Sequence, residues 1–225
     1  MLALKQALSL VSPGNFNTAW IPTDEGSVVA WYQNKVGITL NGSDVSQWDD
    51  SSTNSHDMLQ ATATEQPAYS AGTLTFVNAD VNNLQSSSEI NLSGAFTIGI
   101  KMTPTSFSNV VIASNTKDSE FIKITANNKI RIKTDGAVGD FTLDSGTFGD
   151  DYIVFTRDGS DLVTLWVNGV AQADTETRSG TVDIDCIGVR KTDTNAYAGT
   201  IKEIQIYSSS SSALTSNVNT RLSTL

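Results

Sequence analysis

The sequence predicts an all-β chain, a sandwich or barrel of short antiparallel strands with a short helix at each end. Three observations carry this. Apolar runs of four to nine residues recur from residue 28 to about 207, punctuated by Asn41-Gly42, Asp135-Gly136, Asp158-Gly159, Asn168-Gly169 and Ser179-Gly180. Phe96, Ile98, Ile100 and Met102 alternate with Thr97, Gly99 and Lys101, the period of a strand with one face inward. Hydrophobic content is 39% and charged content only 17%, with the balance rich in turn-forming Ser, Thr, Asn and Asp.

In chain order, Leu4, Leu8 and Val11 stand at i, i+4 and i+7, and Pro13-Gly14 stops the run, so residues 1–11 read as a helix. A helix this short needs a docking surface. Its destination is expected to be a partner or a second copy, with docking back onto its own sandwich the alternative, and Leu4, Leu8 and Val11 are the candidate assembly residues. A connector with Pro22 and Asp24-Glu25-Gly26 follows. Strands are expected at 28–32, 37–40, 73–77, 96–102, 110–113, 121–125, 129–133, 141–143, 152–157, 162–167, 182–189 and 199–207. Residues 152–155 and 162–167 are apolar on both parities, as central strands covered on both faces are. Between 121–125 and 129–133, a three-residue loop 126–128 would pair Ile124 with Ile130 and Ile122 with Ile132, with Asn128 left-handed. A two-residue loop would mix the faces. Residues 208–212, all serine, read as a flexible link. Leu214, Val218 and Leu222 at i, i+4 and i+8 then predict a C-terminal helix starting near Thr215.

With 225 residues the chain can bury a full core as one domain. A net charge of -10 repels phosphate backbones, so no nucleic-acid partner is expected. No apolar run is long enough for a membrane span, and no basic tract suits an anionic membrane surface. The lone Cys186 lies in an apolar run and reads as a small core residue. Residues 1–11 lack the layout of a signal peptide. Without secretion, the glycosylation patterns at Asn41 and Asn91 read as turns.

The stretch from Trp48 to Tyr69 carries the most specific pattern: Trp48-Asp49-Asp50, Asn54, His56-Asp57, Gln60 and Gln66-Pro67-Ala68-Tyr69. It resembles the W-x-D-x-S-G-N-x-H-D…Q…Q-P-x-Y signature of laminin G-like, concanavalin A-like domains of bacterial and phage proteins. Residues 165–170 are similar to that family's late hairpin, and 199–207 to its closing strand. The resemblance implies a two-sheet antiparallel jelly-roll sandwich over 28–225, with 1–27 as an attachment segment and connector. The family places glycines either side of the Asn; Thr53 and Ser55 stand there in this chain.

Asn, Asp and Ser favour turns, so the signature residues read first as loop architecture. Exposed aromatics beside polar groups could bind glycan, which singles out Trp20, Trp48 and His56, with a core or staple role the better reading of both tryptophans; Trp31 and Trp166, in apolar strands, read as core. Asp49, Asp50 and Asp57 are the weak candidates for Ca²⁺, which relatives sometimes hold at a loop rim, although their spacing is not that of a calcium loop. No cofactor is expected. Nor is catalysis: His56 is the single histidine, and Asp183 and Asp185 lack a third carboxylate and read as solvated. The resemblance is nearest to virion structural proteins of tailed phages of marine bacteria. The leading expectation is therefore a head or tail decoration or fibre component in a virion, contacting other virion proteins or copies of itself. The alternative is a lectin-like module binding host surface glycan, with a polysaccharide hydrolase or lyase a distant third.

Overall fold

The computed structural model describes residues 19–117, 119–190 and 195–225. The expected assembly residues Leu4, Leu8 and Val11 lie outside them. The strands in chain order are β1 (Val28–Tyr32), β2 (Ile38–Asn41), β3 (Asp44–Trp48), β4 (Met58–Leu59), β5 (Ala68–Ser70), β6 (Thr73–Phe76), β7 (Leu84–Leu92), β8 (Phe96–Pro104) and β9 (Asn109–Ala113). They continue with β10 (Phe121–Ala126), β11 (Lys129–Thr134), β12 (Ala137–Thr142), β13 (Asp151–Arg157), β14 (Leu162–Val167), β15 (Val170–Thr177), β16 (Val182–Ile187) and β17 (Gly199–Tyr207). One helix, α1 (Ser212–Leu222), follows.

The ladders are antiparallel and form two layers. In one, β17 is flanked by β8 on one side and by β6 and then β1 on the other, and the layer runs on through β13, β14 and β15. The other runs β2, β3, β4, β7, β16, β9, β10, β11, β12. The β5–β6 hairpin joins the layers at one edge, pairing Ala68 with Asp44 and Gly199 with Phe76. At the opposite edge side chains close the gap: Thr142 N donates to Asp174 Oδ2 at 2.8 Å, and Ala173 N to Asp144 Oδ1 at 3.0 Å. The expected all-β antiparallel sandwich is what forms, nearly closed into a barrel.

The core fills the space between layers. Ile98, Ile100, Phe155 and Ile204 face Ile122, Ile130, Phe141 and Ile184, all at most 1% exposed. Phe141 meets Phe155 edge-on across the gap at 5.3 Å. The β10–β11 register is the expected one, Ile122 opposite Ile132 and Ile124 opposite Ile130, with Lys123 opposite Arg131 outside. The loop differs. Ala126 pairs with Lys129, so the turn is Asn127-Asn128 and the odd residue is a bulge between Ile124 and Ala126. Neither Asn takes a positive φ.

Three further expectations are corrected. β8 is buried on both faces, because α1 covers the outer one: a Cβ on Gly99 would lie 2.6 Å from Val218 Cγ1. The serines before α1 are tied down rather than flexible. Ser208 N donates to Ser27 O, Thr97 Oγ1 donates to Ser209 O, and Ser211 Oγ caps the helix at Leu214 N, so α1 starts at Ser212. Asn91 is a strand residue of β7, not a turn.

Helix α1 buries Leu214, Val218 and Leu222 against Val154 and Tyr207 on the outer face of the β1–β17–β8–β13 layer. Arg221 fixes its last turn. Its guanidinium donates from Nε to Glu203 Oε1 at 2.5 Å and from Nη2 to Oε2 at 3.0 Å, and lies 4.7 Å over the Trp31 ring.

Candidate functional site

The Trp48–Tyr69 signature folds inward on itself. Trp48 is fully buried, tilted against Tyr32 at 5.7 Å, with Nε1 donating to Gln33 O. It cannot touch a ligand, which corrects its place among the glycan contacts. Asp50 accepts from Trp31 N (2.9 Å), Ser52 N (2.8 Å), Ser52 Oγ (2.7 Å) and His56 N (3.2 Å). Asp57 accepts from Asp50 N, and Asp49 from Gln47 Nε2. Asn54 Nδ2 donates to Val28 O and Val29 O. The loop is a clasp on β1. Ser55, one of the two places where the family carries glycine, is left-handed at φ 59°, whereas Thr53 is not.

His56 is half-buried, its Nδ1 2.9 Å from Ser88 Oγ. With their oxygens engaged by N–H groups, the three aspartates do not gather as a calcium shell. Among the described residues, no three His, Cys, Asp or Glu side chains converge as metal ligands.

Asp183 and Asp185 are not solvated, as the sequence suggested, but 0% and 4% exposed. Asp183 pairs with Lys117 Nζ and accepts from Asn91 Nδ2; its N–H donates to Glu120 Oε2 at 2.5 Å. Lys117 also reaches Glu120 Oε1 at 3.3 Å. Asp185 accepts from Asn115 N at 2.5 Å. Burial pushes the carboxyls of Glu120 and Asp185 upward. Buried carboxylates under a partly exposed lysine thus hold β16 to the β9–β10 connection.

An open site lies on the other layer, where α1 leaves part of β13 and β14 uncovered. A cavity of about 410 Å³ is walled by Tyr152 and Trp166 on the sheet and by Thr215, Ser216, Asn219 and Ser223 on the helix. Tyr152 and Trp166 are both half-buried. The β14–β15 turn forms its floor at Gly169. Asn168 and Gly169 take φ 49° and 80°, the left-handed pair a two-residue hairpin requires. Asn168 Oδ1 accepts from Tyr152 N, which ties the turn to β13.

Two of the lining residues each keep one polar atom buried and without a partner, behind the cavity wall: Trp166 Nε1, a donor, and Asn219 Oδ1, an acceptor. Asn219, 8% exposed, donates its Nδ2 to Thr215 O at 2.9 Å, which fixes which end of the amide is left over. Such atoms cost stability unless something meets them.

Trp20, half-buried against the α1 cluster, donates Nε1 to Glu25 Oε1 at 3.1 Å. It lines a second hollow of about 340 Å³ with Arg221 and Thr220 on the other flank of the helix; Thr220 borders both. Of the aromatics singled out from the sequence, Trp20 borders a hollow and Trp48 is buried. Trp166 reads as core from the sequence because its strand is apolar on both parities. The polar stripe Ser212, Thr215, Ser216, Asn219 and Ser223 beside the apolar one was the signal available.

No protein-family model matches this sequence, and no curated protein matches it. Solved structures do. The binding domain of Paraclostridial Mosquitocidal Protein 1 superposes with a TM-score of 0.58 at 14% identity, over 91% of this chain and 53% of that one. Domain 4 of AbnA, a GH43 extracellular arabinanase from Geobacillus stearothermophilus solved in complex with arabinotriose, gives 0.56 at 15%, over 86% and 97%. The binding domain of Botulinum neurotoxin DC, solved in complex with rat synaptotagmin II, gives 0.52 at 14%, over 91% and 52%. The chain thus spans about half the length of the two toxin domains. At these identities the likeness is one of fold: this chain has the β-sandwich of those binding domains.

Proposed function

We propose that this protein is a carbohydrate-binding module whose site is the cavity between α1 and the outer face of β13 and β14. The observation that carries it is the pairing of two half-exposed aromatic rings, Tyr152 and Trp166, with a row of serine and threonine side chains on α1. A sugar offers an apolar ring face to an aromatic and hydroxyls that both give and accept hydrogen bonds. The fold supports the reading, since domain 4 of the arabinanase was solved with arabinotriose bound to a sandwich of this shape. Its binding residues are not carried over to this chain.

The test is thermal shift of the full chain against a glycan panel. A ligand that binds only the folded state raises Tm with concentration. A sugar that does so for the wild type and not for Trp166→Ala supports the site; a shift untouched by Trp166→Ala places binding elsewhere.

The role is binding rather than turnover, and purified protein should leave laminarin, agarose and alginate uncut. The virion role expected from the sequence draws no support from these neighbours. It stands as a separate proposal: deleting residues 1–11 should then leave the domain folded but block its incorporation into particles.

A further inference from the structure

We infer that the ligand of this cavity is an uncharged sugar held through its hydroxyls, an inference that rests on the glycan-binding proposal above. The lining carries no Lys, Arg, Asp or Glu. The cation on α1 nearest in sequence, Arg221, already gives two hydrogen bonds to the buried carboxylate of Glu203. A sugar carboxylate entering here would lose its water and meet no countercharge, an unfavourable exchange. The protein's net charge of -10 opposes its approach as well.

The hydroxyls of the lining discriminate further. Thr215 Oγ1 donates to Ser211 O and Ser223 Oγ to Thr220 O, so toward a ligand these two can only accept, whereas Ser212, Ser216 and Thr220 can give or accept. A sugar hydroxyl gives and accepts, so it can meet either kind. A carboxylate only accepts, and Thr215 and Ser223 have no hydrogen to give it. The aromatic walls take the C–H face of the ring. Nothing in this set requires a metal or a proton transfer.

The experiment is calorimetric titration of the full chain with neutral trisaccharides (arabinotriose, cellotriose, maltotriose) and acidic sugars (trigalacturonate, 3′-sialyllactose). At least one neutral trisaccharide should bind, each acidic sugar at least about tenfold more weakly, the scale of one buried polar group left unmet. Trp166→Ala removes one of the two aromatic walls and should weaken the neutral sugar by about tenfold. Ser216→Trp, at an exposed helix position on the rim, should block the cavity while leaving the melting transition in place, and serves if Trp166→Ala does not fold. An acidic sugar that binds as tightly, and loses affinity in either variant, overturns the uncharged class and leaves the carbohydrate site standing. Binding indifferent to both variants, or no binding by any of the five sugars, overturns site and class together.

Discussion

Arg157 is fully buried, with its guanidinium 4.8 Å over the Phe96 ring. It donates to four carbonyls, those of Leu92, Gly94, Arg178 and Gly180. These belong to the end of β7 and the loops after β7 and β15, so one rigid fork ties together strand ends distant in sequence. Lysine is a point charge and cannot span that set. Arg157→Lys should cost on the order of 3 kcal/mol, read as a drop in denaturation midpoint; a loss under about 1 kcal/mol would mean that the carbonyls find other donors. Gly99 is held to the opposite constraint, empty space. A methyl there would meet Val218 Cγ1 at 2.6 Å and Leu222 Cδ1 at 3.0 Å. Gly99→Ala should therefore destabilise by about 1–3 kcal/mol and loosen α1, raising amide exchange in the helix before the sheet.

At the scale of elements, α1 decides what the outer face of β8 and β13 can do. It closes most of that face with Leu214, Val218 and Leu222, and its polar flank turns the remainder into a cavity. The helix is marginal by length, so its cap and its dock must hold it. Ser211→Ala removes the side-chain acceptor for Leu214 N and should cost about 1 kcal/mol in global stability. If the cavity is the binding site, the same change should weaken sugar binding without touching a lining residue. Unchanged affinity would show that the site does not depend on the helix start. The β10–β11 hairpin illustrates a different balance. Its isoleucines had to share a face, which set the register, and the chain met that demand with a bulge at Thr125 instead of a left-handed Asn128.

Across the whole molecule, pH acts through carboxylates pushed in opposite directions. Burial raises Glu120 and Asp185, so their ionised forms cost stability at neutral pH, and that cost is relieved as pH falls through the raised values. Hydrogen bonds from Thr181 lower Asp135, and Arg131 lowers Asp140; their contribution is present above the unfolded carboxylate range and lost as pH falls through the depressed values. Stability should rise modestly from pH 8 towards mildly acid conditions and then fall. Asp185→Asn keeps an oxygen for Asn115 N and should raise Tm at pH 8, with the gain fading as the wild-type carboxyl protonates. No gain at pH 8 would mean that Asp185 is better served by its donors than its burial suggests.

Local sequence determined what local physics governs. Strands β1, β14 and β17 have the ends that turn residues and apolar runs mark, and the α1 stripe at Leu214, Val218 and Leu222 is plain from its spacing. Short or polar strands such as β3, β4, β5 and β15 were not legible, because neither length nor apolar alternation marks them and it is pairing with a neighbouring strand that makes each a strand. The site belongs to that second kind. Trp166 reads as core until the outer face of its layer is seen to be only partly covered, and Asp183 reads as solvated until Lys117, 66 residues away, is found against it. Apolar periodicity reports that a face is buried, not what buries it. Only the tertiary structure sets α1 beside β13 and β14, leaving a donor and an acceptor there without partners.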